Sequence, residues 1–219
     1  MNLDNAEWFC FDAHIKAKGN LAVVGFNQQD RSIREITEPD PYVFDKIDGN
    51  ILITKTDVCL MAWASDCCLV ALAGDDGAVV AVLHASVNTF KNGIIDQAIT
   101  ELRERHGVKE ITAYVGICAG KCCYEYGAAD AARDFADWPE FIIPSNREDK
   151  VYLDLAGAVR ENLRRDGAEV IDIFEDCSCN ICAKNHNGKF RFPSFRRDVD
   201  ETGKHINGQY GLFICKKQQ

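Results

Sequence analysis

Ser65-Asp66-Cys67, Cys68-Leu69-Val70-Ala71-Leu72-Ala73, Gly74-Asp75-Asp76-Gly77 and Ala78-Val79-Val80-Ala81-Val82-Leu83-His84 form one continuous stretch. Two apolar, β-favouring runs flank a Gly/Asp cluster, the pattern of a β-hairpin. A turn centred between Asp75 and Asp76 sets Cys67 directly across from His84, with Cβ atoms roughly 5 Å apart on one face. A thiol and an imidazole so placed can share a metal, or act as nucleophile and base. A buried cysteine beside a histidine that merely ends a strand accounts for the same spacing.

Working outward, Leu21–Phe26, Asn50–Lys55 and Val58–Trp63 read as strands leading into the hairpin. Asn27–Asp48 is polar, carries Pro39 and Pro41, and reads as a loop with one short strand at most. Beyond His84 the period changes. Ile94, Ile95, Ala98, Ile99 and Leu102 share one helical face, and Gly107 supplies the stop. Strands at Glu110–Val115, Val170–Phe174 and Gln209–Cys215 alternate with helices at Ala128–Phe135 and along Tyr152, Leu155, Val159 and Leu163. Helices alternating with strands around an antiparallel hairpin predict an α/β (α+β) fold, a single-domain layered sandwich of mixed β-sheets flanked by helices.

The 219 residues are 47% hydrophobic, enough for a full core. A net charge of −9 argues against non-specific nucleic-acid binding, while leaving room for a small anionic ligand. Every apolar run is interrupted by a charge before it can span a bilayer. Met1-Asn2-Leu3-Asp4 has no leader character. The eleven cysteines are odd in number and include the adjacent pairs Cys67-Cys68 and Cys122-Cys123. These features predict a cytoplasmic protein with reduced thiols, without nucleic-acid or membrane partners.

Three further groups carry chemistry. Cys177, Cys179 and Cys182, with His186 close behind, can form a zinc knuckle or remain plain thiols; a second, separated pair is not evident downstream. Arg191, Arg196 and Arg197 lie among aromatics in an acidic chain. They suit an anion pocket, or equally a solvated turn paired with Asp198, Asp200 and Glu201. Glu125, after the cysteine-rich loop, is a candidate base.

Taken together these stretches resemble the multicopper polyphenol oxidase or laccase-domain family, also known as purine nucleoside phosphorylases and peptidoglycan editing factors. The family pattern Ala-Asp-Cys, followed seventeen residues on by the His of His-Ala-Gly-Trp-Arg-Gly, reads here as Ser65-Asp66-Cys67 and His84-Ala85. Gly49–Thr54, Gly116–Cys118 with Cys123-Tyr124-Glu125, Leu153-Asp154-Leu155, Cys179–Cys182, Phe192–Asp198 and Thr202-Gly203-Lys204 match further motifs in order, so the resemblance is clearest over residues 49–214. It implies one domain over residues 1–219 and a zinc, or less readily copper, site of two histidines and one cysteine. Cys67 and His84 would be metal ligands and, with Glu125, catalytic residues; Arg196 and Arg197 would meet substrate or phosphate. The implied activities are phosphorolysis of purine nucleosides and deamination of adenosine. Editing of peptidoglycan precursors by a metal-free Cys-His amidase and a non-catalytic binding role are the alternatives.

Two departures from the family pattern stand out. The histidine of its Gln-Val-His-Gly stretch has no counterpart, leaving Asp30 by position or His14 by chemistry as third ligand, or none. Gly-Trp-Arg-Gly has become Ser86-Val87-Asn88-Thr89. A multinuclear copper centre needs more converging imidazoles than five histidines supply.

Overall fold

The computed structural model describes residues 21–23, 33–35, 50–56, 59–173, 179–204 and 210–215. The strands are β1 (Leu21–Val23), β2 (Ile33–Glu35), β3 (Ile51–Thr54), β4 (Cys59–Ala64), β5 (Cys68–Gly74), β6 (Val79–Ala85), β7 (Ile111–Val115), β8 (Glu125–Gly127), β9 (Ile142–Pro144), β10 (Lys150–Leu153), β11 (Glu169–Asp172) and β12 (Tyr210–Cys215). The helices are α1 (Val87–Phe90), α2 (Ile94–Glu104), α3 (Ala128–Asp134) and α4 (Leu155–Arg165).

A six-stranded mixed sheet, ordered β11-β7-β5-β6-β3-β2, forms the centre. One face packs α2 and α4 through Val70, Leu72, Ala81, Leu83, Ile95, Leu102, Val159 and Leu163. Leu102 and Leu163 are fully buried there, each contributing about 2 kcal/mol of apolar burial. Gly107 and Gly167, both left-handed at φ 70° and 76°, end these helices. The Asp154 side chain caps the start of α4 by accepting from Gly157 N at 2.9 Å. The other face of the sheet, with Leu52, Leu69, Ala71, Val80 and Val82, packs against Leu60, Ala62 and Leu212 of a second sheet, β1-β4-β12. A third small sheet, β8-β10-β9, completes the α/β arrangement of mixed sheets and helices.

The structure corrects two expectations. Tyr152 belongs to strand β10, paired with Glu125 and Ile143, because the Asp154 cap delays the helix to Leu155. The hairpin register also differs: Leu69, not Cys67, lies opposite His84. Gly74 remains in β5 opposite Val79, and the turn runs from Asp75 to Ala78. Asp75 and Asp76 take left-handed φ values of 46° and 58°. That uncommon geometry is anchored by the Asp75 carboxylate, which accepts from the N–H groups of Lys109 and Glu110 at 3.0 Å each.

Candidate functional site

At the hairpin end away from the turn, His84 shares the inter-sheet face of β6 with Val80 and Val82. Cys67, immediately before β5, packs against the same apolar cluster. The two residues therefore lie toward one face, offset along the ladder rather than directly opposed.

His84 is buried and held from several sides. Its Nδ1 lies 3.1 Å from Asn50 Oδ1, and its backbone N–H donates to Asn50 O at 3.0 Å. Acceptance by Asn50 Oδ1 puts the ring proton on Nδ1 and the lone pair on Nε2. The His84 carbonyl accepts from Thr89 Oγ1 at 2.9 Å. Thr89 also accepts from Ser86 N at 2.8 Å while Ser86 Oγ accepts from Thr89 N. The Ser86–Thr89 segment is thus a capping box that starts α1 and grips the residue before it. Burial pulls the imidazole down to about 4, keeping it neutral at physiological pH. Burial, reinforced by the Asp66 carboxylate, pushes the Cys67 thiol up to about 12; the Arg196 charge works the other way. A thiol so placed is a poor nucleophile without a metal to displace its proton.

Asp66 is the hub of the site. Its Oδ1 accepts from Ser194 Oγ and Asn180 Nδ2, both at 2.8 Å, and its Oδ2 accepts from Arg196 N at 2.9 Å. Ser65 O accepts from Phe195 N and Asn180 Nδ2. Tyr210 Oη donates to Cys67 O at 2.8 Å, bringing β12 onto the same segment. The Phe-x-Ser-Phe-Arg-Arg stretch is therefore sewn to the residues just before Cys67.

The two arginines do different work. Arg197 Nη1 donates to the carbonyls of Asn180 and Ile181, Nη2 to Phe192 O, and Nε and Nη2 to Asp198. These bonds make Arg197 a clamp on the turn at residues 179–182, not an anion ligand. Arg196 stacks over the Tyr124 ring at 4.4 Å and donates through Nη1 to Glu125 O at 2.6 Å. Among the described residues its Nε and Nη2 have no hydrogen-bond partner, so it can receive an anion. The Glu125 carboxylate faces Arg147 at 3.4 Å through both oxygens.

A model of the multi-copper polyphenol oxidoreductase laccase family matches residues 5–209. The chain belongs to this family. Among curated relatives, a purine nucleoside phosphorylase of Rickettsia prowazekii is 28% identical over 169 residues, covering 74% of this chain and 66% of its own length. One from Aquifex aeolicus is 32% identical over 121 residues, covering 54% of this chain and 50% of its own. The chain thus spans half to just under two thirds of these relatives. The Bacillus licheniformis hypothetical protein YfiH superposes with a TM-score of 0.70 at 21% identity, covering 89% of this chain and 74% of that one. YlmD from Geobacillus stearothermophilus gives 0.70 at 22%, covering 90% and 74%. Both share the fold of this chain.

The family name implies a metal. Among the described residues, Cys67 and His84 have no third cysteine, histidine or carboxylate converging with them; the one such group is Cys122, Cys123, Cys179 and Cys182. Asp66, the nearest carboxylate in sequence, is committed to three donors. His14, Asp30 and Cys177 lie outside the described residues. The described part of the cleft therefore offers two donors where catalytic zinc uses three protein ligands. Asn50, Tyr124 and Asn180 are absent from the sequence-based site, and Asp66 enters it only as a candidate proton carrier. Their roles rest on pairings across the fold.

Proposed function

We propose that the cleft around Cys67, His84 and Arg196 acts on purine nucleosides, with phosphate as second substrate. The observation that carries this reading is a tethered imidazole on the same face as Cys67, reached by the charge of an arginine with unspent donors. The names of the curated relatives point to the same substrate class. Arg196 would hold phosphate through its guanidinium. As a phosphate oxygen bonds to C1′ of the ribose, the C1′–N9 bond breaks and its electron pair passes to the purine. His84 would take the phosphate hydroxyl proton at Nε2 and release it to the purine nitrogen, yielding ribose 1-phosphate and free base. No step is assigned to a metal, because the described donor set falls one short.

The test is turnover of inosine and adenosine with and without phosphate, followed by chromatography of base and nucleoside. Phosphate-dependent base release that fails in His84→Ala and weakens in Arg196→Ala supports the proposal. Adenosine converted to inosine without phosphate would replace phosphorolysis by deamination. No turnover of either nucleoside by folded protein, with or without added zinc, would overturn it.

A further inference from the structure

Two cysteine pairs distant in sequence meet beside the cleft. Cys122 and Cys123 sit on a tight turn closed by Cys123 N and Tyr124 N, both donating to Gly120 O at 2.9 Å. Cys179 and Cys182 sit on a second turn, where Ala183 N donates to Cys179 O at 2.9 Å. All four sulfurs lie within 4.8 Å of one another, with Cys122 and Cys182 at 3.5 Å. Tetrahedral zinc with Zn–S bonds of about 2.3 Å sets its sulfurs about 3.8 Å apart. The separations here suit that arrangement with small side-chain adjustments.

The backbone approaches the cluster closely. Gly120 N donates to Cys179 Sγ at 3.1 Å. Gly120 permits the approach: a Cβ there would come within 3.0 Å of Cys179 Cβ and 3.5 Å of Cys122 Sγ. Cys118 and Cys179 form a bridge between the two segments, with Asn180 N donating to Cys118 O at 3.1 Å. The Arg197 clamp fixes the second turn from its other side.

We infer that Cys122, Cys123, Cys179 and Cys182 bind one thiophilic divalent cation, zinc by chemistry, as a closed structural site distinct from Cys67 and His84. Four thiolates leave no open position for substrate, so the ion ties segments together rather than reacting. The segments tied are the loop that delivers Tyr124 beneath Arg196 and the turn that delivers Asn180 to Asp66. The upstream adjacent pair supplies the second half of the knuckle that Cys179 and Cys182 begin.

The test is elemental analysis of full-length protein purified without added metal, together with cobalt substitution. One zinc per chain is expected. The cobalt form should show the intense sulfur-to-metal charge-transfer and visible bands of tetrahedral four-sulfur coordination. Both should persist in Cys67→Ser and His84→Ala and disappear in the double variant Cys122→Ser/Cys182→Ser, whose two thiols are exposed and outside the apolar core. The cobalt spectrum of the unaltered chain stands as evidence even if that variant misfolds. Absence of zinc with no tetrahedral cobalt spectrum would overturn the inference. So would metal lost on Cys67→Ser but kept in the double variant, or a Cys122–Cys182 disulfide in the protein as purified.

Discussion

Asn50 and His84 face each other across β3 and β6, Asn50 Oδ1 lying 3.1 Å from His84 Nδ1 inside the protein. Both residues are almost fully buried, so the bond fixes the ring's orientation and tautomer in a place where water cannot substitute for it.

Replacing Asn50 by Ala should therefore affect both stability and function. Loss of the acceptor removes a buried hydrogen bond, at a cost of about 1–3 kcal/mol in denaturant unfolding. Activity, or metal affinity if His84 is a ligand, should fall about 10- to 100-fold. Nitrogen NMR of His84 should show the proton on Nδ1 in the unaltered chain and a mixed tautomer in the variant. An unchanged tautomer would refute the assignment.

Asp66→Asn tests the hub. Oδ1 can still accept from Ser194 and Asn180, but an amide NH₂ would confront Arg196 N–H, donor against donor. A loss of about 1–3 kcal/mol is expected, with faster proteolysis between residues 193 and 198 than in the unaltered chain. Equal protease resistance would count against the hub.

Arg197→Lys keeps the charge and removes the fork. A lysine cannot reach the carbonyls of Asn180, Ile181 and Phe192 together with Asp198. Lower unfolding stability is expected, again by about 1–3 kcal/mol, without the selective loss of phosphate affinity that Arg196→Ala should show. A raised KM for phosphate in Arg197→Lys alone would reverse the two assignments.

Acid sensitivity should trace partly to Asp134. Arg133 first, then Lys91 and Tyr126, hydrogen-bond its carboxylate and hold it down at about 2. The unfolded value is about 3.9. Because the folded pKa is the lower one, the stabilisation is complete above about pH 4 and is lost as pH falls toward 2. Unfolding curves of Asp134→Asn and the unaltered chain should therefore differ at pH 6 and converge near pH 2. Parallel curves across that range would exclude the assignment.

The apolar runs at 68–73 and 78–83, the face of α2 and the closing strand were legible in sequence because alternation and helical period record burial directly. The register was not. Treating Gly74 as part of the turn shifts the pairing, and the Asp75 contacts that hold Gly74 in the strand come from residues 109 and 110. Val58–Trp63 was readable as a strand, but not its membership of a second sheet with β12, since pairing partners leave no local trace. Cys179 and Cys182 were visible as a pair. Their partners Cys122 and Cys123 were visible only as neighbours in sequence, because fold topology alone brings the two turns together. Arg196 and Arg197 look equivalent in the chain, and only the carbonyls around Arg197 separate them.

The contacts of Asp66 with Asn180, Ser194 and Arg196 span 114, 128 and 130 residues. Closing such long loops is entropically costly until the intervening sheets have formed. The β5–β6 hairpin can form from local sequence alone, whereas the cleft beside it must wait for residues 180–196. On the ribosome the central hairpin therefore exists well before any site does. A nascent chain stalled short of residue 194 would carry Cys67 and His84 without the Ser194 and Arg196 contacts that fix Asp66 beside them.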